Sequence, residues 1–385
     1  MSPKSRGPRR TITVRDLEQT PFGEFTGVAA ATTGKKTFLK PRWADGLILG
    51  TIAERSRKTG TIWMLAGDYG TGKTWLLSWL LRDGPSRLEA STGEKWSVVG
   101  LSFLPSASPD RLFFEAFFRG SEAERSAILR RRSEQTLLTP SGSEYDRAIN
   151  AILADPGAWQ VLTGHASTFP KRRGGRPFPP WKSPVARLGL FRSFLRRLKD
   201  AGSDHVLILV DEFENTVLGT GPSGLQRLTH FFRQLIDHLQ SDFDLPKVQI
   251  VLSVTADAAK RIKPGQDSQA LTRSGKVPAA VQAFQERLGE TVYVPPLELD
   301  SALDIAKFRI ESVEGGDRDP ARPYIPFERT AVELAFGASN RLVRVFCVLL
   351  EAMYEKAYTT KAPLVTTELA REVLRARGLE ARPRS

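Results

Sequence analysis

The sequence predicts an α/β protein: a parallel β-sheet flanked by helices, followed by a small α-helical domain. Three observations lead there. Five short runs, 61–66, 97–103, 205–210, 247–255 and 291–294, are apolar almost throughout. Helix-patterned stretches separate them. After Pro295-Pro296 the apolar runs stop and only helix-patterned stretches remain. A strand without polar alternation has no wet face, so its sheet is buried on both sides. Strands that alternate with helices form parallel sheets.

Three segments follow: 1–44, a basic N-terminal arm and lead-in; 45–296, the sheet-containing core, with a long basic insert at about 105–200; and 297–385, the helical domain. The arm carries Lys4, Arg6, Arg9 and Arg10 and no acid in its first ten residues. It reads as a frayed tail or as an arm for phosphates. Residues 47–60 predict a helix that stops at Gly60. TIWMLA (61–66) is the first strand, and WLLSWLL (75–81) is a helix buried against the sheet. Helical patterns cover 110–119, 121–138, 143–154, 184–200 and 223–240. Those of the second domain cover 300–313, 327–337, 339–358 and 366–377, with a Gly/Pro/Asp-rich loop at 314–326.

Lys and Arg number 56 against 43 Asp and Glu, a formal charge of +13, which favours a polyanionic partner. The single cysteine, Cys347, excludes an internal disulfide and a multi-cysteine zinc site. The four histidines have no metal-ligand spacing. No apolar run approaches the ~20 residues of a membrane span. The N-terminus lacks the apolar stretch of a secretion signal. The expected location is cytoplasmic, with no membrane partner.

Between the first strand and its helix lies Gly67-Asp68-Tyr69-Gly70-Thr71-Gly72-Lys73-Thr74, which fits G-x-x-x-x-G-K-[ST] at every fixed position. A chain that wraps a polyphosphate must turn successive N–H groups inward, and glycines at 67, 70 and 72 allow that curvature. Lys73 supplies a flexible cation for the β- and γ-phosphates, and the Thr74 hydroxyl is a magnesium ligand. The helix that continues through Trp75 aims its positive end at the same anion. The third strand runs straight into Asp211 and Glu212 (HVLILVDEFEN). Two carboxylates at a buried strand tip are costly without a partner. Asp211 is the candidate magnesium ligand and Glu212 the candidate general base, with Glu214 the weaker alternative.

GDYGTGKT and LILVDE resemble the Walker A and Walker B motifs of the AAA+ ATPases. Within them the chain looks most like the initiator (origin-recognition) clade and its bacterial relatives, the transposition regulators and the ATP-binding proteins of phage-defence clusters. KVQIVLSVT is similar to the sensor 1 strand, which implies Thr255, or next Ser253, as the residue reading the γ-phosphate. LGETVYVPPLELDSALDIAKF (288–308) resembles the entry to the family's lid. GASNRLVRV (337–345) resembles the start of its sensor 2 helix, which implies that Arg341, or Arg344 one turn on, reaches the nucleotide. The elements of the resemblance span about 45 to 360. The family also completes its site with an arginine from a neighbouring subunit; no clean motif for one is present, and Arg287 is the best candidate, with Arg273 another. The resemblance implies ATP and Mg²⁺, hydrolysis to ADP and phosphate, and a homo-oligomeric ring or filament.

The Walker-like motifs stand much farther apart than one strand-helix-strand unit requires. The intervening insert contains FPKRRGGRPFPPWK (169–182). From 165 to 200 there are ten Lys or Arg and one acid. Lys171, Arg172, Arg173, Arg176 and Lys182, with Phe169, Phe178 and Trp181 among them, match what phosphate neutralisation and base stacking use. In 184–200, Leu188, Phe191, Leu195 and Leu198 form a helical stripe, so the cations there equally read as its solvated face. Two functions result. One is an ATP-driven switch that assembles on nucleic acid, most plausibly on the backbone of double-stranded DNA, as a regulator in a mobile-element or defence system. The other is a signalling or scaffold NTPase that docks a protein partner through the insert. The chain leaves no room for a winged-helix reader after the lid, which favours backbone contacts over sequence readout.

Overall fold

The computed structural model describes residues 39–58, 60–102, 191–192, 195–196, 198–200, 202–219, 222–263, 279–314 and 323–379. The helices expected at 110–119, 121–138 and 143–154, the basic arm, and loop 169–182 with its Lys171, Arg172, Arg173, Arg176, Trp181 and Lys182 lie outside these residues. No helix among the described residues is long and apolar enough to cross a membrane.

All five expected strands form: β1 (Thr61–Ala66), β2 (Trp96–Ser102), β3 (His205–Asp211), β4 (Lys247–Val254) and β5 (Val292–Tyr293). They pair in parallel in the order β2-β3-β4-β1-β5. The last strand but one therefore slots between β1 and β3. Ala66 pairs with Val254, and Val210 with Leu252, so β1, β4 and β3 end together along one edge. In sheets of this kind the crevice beyond the strands' carboxyl ends is where ligands bind.

Alternation along the strands divides the core. Ile62, Met64, Ile208, Val210, Ile250 and Leu252 face α4 (Pro222–Ser241), where Phe232, Leu235 and Ile236 meet them. Trp63, Leu65, Leu207, Leu209 and Val251 face α2 (Lys73–Thr92), through Leu76, Leu77 and Leu80. Both faces are dry, as the unbroken apolar runs require. The helix expected at 47–60 begins earlier and ends sooner. Ala44–Leu49 winds as a π-helix and continues as α1 (Gly50–Arg55). Gly60 then turns the chain into β1 with φ 63°. Three short helices carry too few apolar positions to be read from periodicity: α3 (Glu214–Gly219), α5 (Ala256–Ile262) and α6 (Ala279–Arg287).

The described part of the stripe at 184–200 is helical and packs on the sheet, with Phe191, Leu195 and Leu198 fully buried. The described cations of this stretch are paired within the fold. Arg192 Nε donates to Asp242 at 3.0 Å and Arg196 at 3.1 Å, and Lys199 lies 3.5 Å from Asp204.

At the other end of β3, His205 is buried, stacked on Trp96 at 4.3 Å, with Nε2 2.5 Å from Glu94. Its Nδ1 is buried without a partner. Burial pushes the imidazole below its usual pKa, against the pull of Glu94. The neutral ring is therefore the folded form. Stability is full above the ordinary histidine pKa, near ~6.5, and falls as pH drops from there toward the depressed folded value. Thermal melts from pH 8 to 5 should show a flat upper range and a decline below about 6.5. The decline should be smaller in His205→Phe.

After β5, four helices pack around a core of their own: α7 (Leu299–Glu314), α8 (Arg329–Ala338), α9 (Val343–Thr359) and α10 (Thr367–Ala376). Trp75 of α2 joins that cluster, so this helix of the sheet domain also anchors the helical one. The helix expected to open at 339 opens at Val343. Asn340 (φ 51°) and Arg341 (φ 62°) are left-handed, which a right-handed helix excludes. Cys347 is buried there, and burial pushes its thiol up to about 11, which keeps it protonated and unreactive.

Candidate active site

The 67–74 loop is tied to β4 at its start, closed by a turn of its own and continued into α2. Gly67 N–H donates to Val254 O at 3.1 Å, which fixes the start of the loop to the end of β4. Thr71 closes the turn, its N–H (3.3 Å) and its hydroxyl (2.9 Å) both donating to Asp68 O. Gly70 (φ 82°) and Gly72 (φ 97°) take left-handed backbone. The bend ends at α2, whose N-terminus points into the loop. A cradle of this shape with a helix dipole behind it suits a polyphosphate.

Lys73 is buried in the cradle, and its Nζ donates to Gly67 O at 2.6 Å and Asp68 O at 3.1 Å. It lies 5.9 Å from the centre of the exposed Tyr69 ring. Burial lowers its pKa, opposed by the charges of Glu214, Asp211 and Asp68. Thr74 Oγ1 donates to Asp211 Oδ2 at 2.8 Å. One hydroxyl and one carboxylate, far apart in sequence, thus meet at the mouth of the cradle. Magnesium typically takes one or two such protein oxygens and completes its shell with phosphate and water. Among the described residues no cluster of three or more His, Cys, Asp or Glu forms a protein-only metal cage.

The acidic turn divides its carboxylates. Glu212 takes a left-handed backbone (φ 55°) and is exposed, its Oε2 accepting from Asn215 at 3.3 Å. Burial and then Asp211 raise its pKa. Glu214, in the first turn of α3, is only 3 % exposed, and its Oε2 has no partner. Thr255 caps α5, its Oγ accepting from Ala258 N–H at 3.3 Å. Ser253, inside β4, is fully buried with an unpartnered hydroxyl.

The helical domain closes over the loop. Arg344 N–H donates to Gly70 O at 2.9 Å, and Val343 packs on Gly72. Arg344 is therefore the sensor-region arginine whose backbone touches the cradle. Arg341 stands in the turn before, exposed, its carbonyl accepting from Leu297 N–H at 2.9 Å. Arg287 is farther away. Leu288, the next residue, bridges to Ile62 at the start of β1, about 13 Å along the strand from Ala66. Arg287 Nε donates to Asp237 Oδ1 at 3.0 Å. Arg287 therefore does not complete its own chain's site. Arg273 and the insert lie outside the described residues.

A cavity of about 160 Å³ adjoins the cradle, between Gly72 and Trp75 on one side and Pro296 and Ile305 on the other. The lead-in residues Arg42 and Trp43 form a further wall. Arg42 ties that wall to α7, with Nε 2.6 Å from Asp304 and Nη1 3.3 Å from Asp300. No sequence pattern marks this role for 39–43, because contact with α7 arises only once the lid has folded back.

Strand order, cradle, acidic strand tip and helical lid together define a P-loop protein with a lid. In particular, the fold is similar to that of a solved ORC2 protein. The ORC2 protein of Aeropyrum pernix, solved in ADPNP and ADP complexes, superposes with a TM-score of 0.52 at 13 % identity, over 90 % of this chain and 71 % of that one. Two further structures align less well. The Aeropyrum pernix ORC1 protein in complex with DNA gives 0.44 at 15 % identity, over 91 % and 69 % of the two chains. Domain III of the Thermotoga maritima replication initiation protein DnaA gives 0.36 at 13 %, over 88 % and 94 %. No protein-family model matches the chain, and no curated protein matches it.

Proposed function

We propose that the protein is an ATP-hydrolysing switch that assembles as a homo-oligomer, ring or filament, on nucleic acid, with double-stranded DNA as the partner. The observation that carries this reading is the Thr74–Asp211 contact at 2.8 Å, set in a loop on which the lid's first turn is seated. The residues from Gly67 to Trp75 would wrap the phosphates with backbone N–H groups. Lys73 would exchange two loop carbonyls for the β- and γ-phosphates. Thr74 and Asp211 would hold Mg²⁺, which would supply charge neutralisation for the phosphates. The adjoining cavity would take the base. Arg344 or Arg341 would add a cation from the lid, and Thr255 or Ser253 a polar contact at the γ-phosphate. A carboxylate of the 212–214 turn would orient water. Arg287, directed away from its own cradle, would serve a neighbouring subunit.

Closure follows from differential binding: nucleotide touching both domains favours the state in which they meet. The nucleic-acid half of the reading is supported by the +13 charge and by the cations of 171–182, since those at 192, 196 and 199 are already paired within the fold. The proposed setting, mobile-element control or phage defence, is supported by motif resemblance alone. Binding of duplex DNA measured against salt tests the partner. The expected slope is about −0.9 in log affinity per log salt for each phosphate contacted. Replacing Lys171, Arg172, Arg173 and Arg176 by alanine should flatten it by about three to four such contacts. Absent or salt-insensitive binding would favour the alternative, a scaffold NTPase that docks a protein.

A further inference from the structure

We propose that the pairing of Arg42 with Asp300 and Asp304 is a positioning clasp, which holds residues 39–43 as a strap across the base of the bound nucleotide. The inference deepens the nucleotide-site reading above and rests on it. Residues 39–43 form no helix or strand. Their backbone hydrogen bonds are local, with Ala44 N–H donating to Pro41 O and Leu47 N–H to Trp43 O, both at 3.0 Å. Lys40 also pairs locally, with Asp45. These contacts do not set where the strap lies against the helical domain. Other side chains do.

The strap bridges the two domains. Trp43, half-buried, packs on the sheet-side cluster of Trp63, Leu76 and Leu80. Leu39 packs on the core of the helical domain. Between them Arg42 reaches α7, with Nε 2.6 Å from Asp304 and Nη1 3.3 Å from Asp300, two carboxylates one helical turn apart. A guanidinium fork that meets two carboxylates fixes direction as well as distance.

Behind the clasp lies the cavity beside the cradle. Leu39, Pro41 and Trp43 line it together with Trp75, Pro296 and Ile305. Apolar walls of this kind suit the flat faces of a base. Among the described residues, none of the hydrogen bonds of the 67–74 loop ends on the strap. The strap therefore serves the base side of the site and not the phosphates. The clasp itself is wet: the side chains of Arg42, Asp300 and Asp304 are 54 %, 69 % and 38 % exposed. Such pairs add little to overall stability, so the consequence of this one is local. With the clasp closed, the strap is in place before the nucleotide arrives. With it open, the ligand must order Leu39, Pro41 and Trp43 itself, and affinity falls.

The test is calorimetric titration of ATP with magnesium and, separately, of inorganic tripolyphosphate into the full chain, the Arg42→Ala variant, the pair D300N/D304N, and all three changes combined. A clasp predicts about three- to tenfold weaker ATP binding in Arg42→Ala, the size expected when one or two side chains must be ordered on binding. D300N/D304N should match it. The combined variant should be no weaker than either by more than about twofold, because all three changes open one contact. Tripolyphosphate should bind within about twofold of the parent throughout, and thermal melts should stay close to the parental one. Parental ATP affinity in Arg42→Ala overturns the proposal. So does a loss there that D300N/D304N does not share, since Arg42 would then touch the nucleotide itself. Losses that multiply in the combined variant overturn it too, as does an equal loss for tripolyphosphate, which places the effect at the phosphates. Should Arg42→Ala fail to fold, D300N/D304N decides with the same two ligands. Failure of the nucleotide site itself would look different, because the parent chain would then bind neither ATP nor tripolyphosphate.

Discussion

Lys73→Ala should abolish measurable ATP hydrolysis, with kcat falling by about 10²–10³-fold, the size of effect seen when one preorganised cation or donor is removed from a developing charge. Lys73 is the one cation buried inside the loop, held by Gly67 O and Asp68 O rather than by an acid. It is therefore poised to leave carbonyls for phosphate without breaking an ion pair. Removing it also frees two loop carbonyls, so the loop should loosen while the sheet core stays intact. Initial rates at saturating ATP, with a thermal melt alongside, separate the two effects. A variant that keeps parental turnover would remove Lys73 from the site.

Gly70→Val should be the most damaging single change in the loop. A Cβ at this position would lie 2.8 Å from Arg344 Cβ, and the backbone has φ 82°. Left-handed backbone costs an L-residue about 1–2 kcal/mol. Forcing the lid away from the loop adds roughly 1–3 kcal/mol of overpacking. The expected result is a clearly lower melting temperature together with weaker nucleotide binding, because the same atom spoils both the turn and the seat of α9. Gly93→Val is the control. It too is left-handed, at φ 73°, but nothing lies within 4 Å of its added Cβ. It should show only the backbone cost and leave affinity unchanged. Equal losses in both variants would mean that the lid contact contributes nothing.

The sheet was legible because its strands are buried on both faces. Apolar runs with no alternation mark such strands directly, and the P-loop and acidic tip mark where two of them end. The helical stripe at 184–200 was legible as well, with Phe191, Leu195 and Leu198 buried as spaced. What sequence could not supply was local backbone sign and tertiary partner. Asn340 and Arg341 fit a helical pattern but take left-handed φ, so the helix starts at Val343 and Arg344 becomes the residue on the cradle. Glu212 follows Asp211 as the motif demands, yet its positive φ turns it outward while Glu214 folds under. Thr255 reads as a sensor residue, but it also caps α5, a helix too short to be seen in periodicity. The lead-in at 39–43 has no pattern at all. Its place is set by Arg42 meeting Asp300 and Asp304 on a helix far along the chain.

The most direct measurement is a calorimetric titration of ATP into the full chain, with magnesium present and again with it chelated. A loop that cradles phosphates while Thr74 and Asp211 share a magnesium ion predicts saturable one-to-one binding, weakened by chelation and by Asp211→Ala. No heat from the parent chain, or binding indifferent to both magnesium and Asp211, would contradict it.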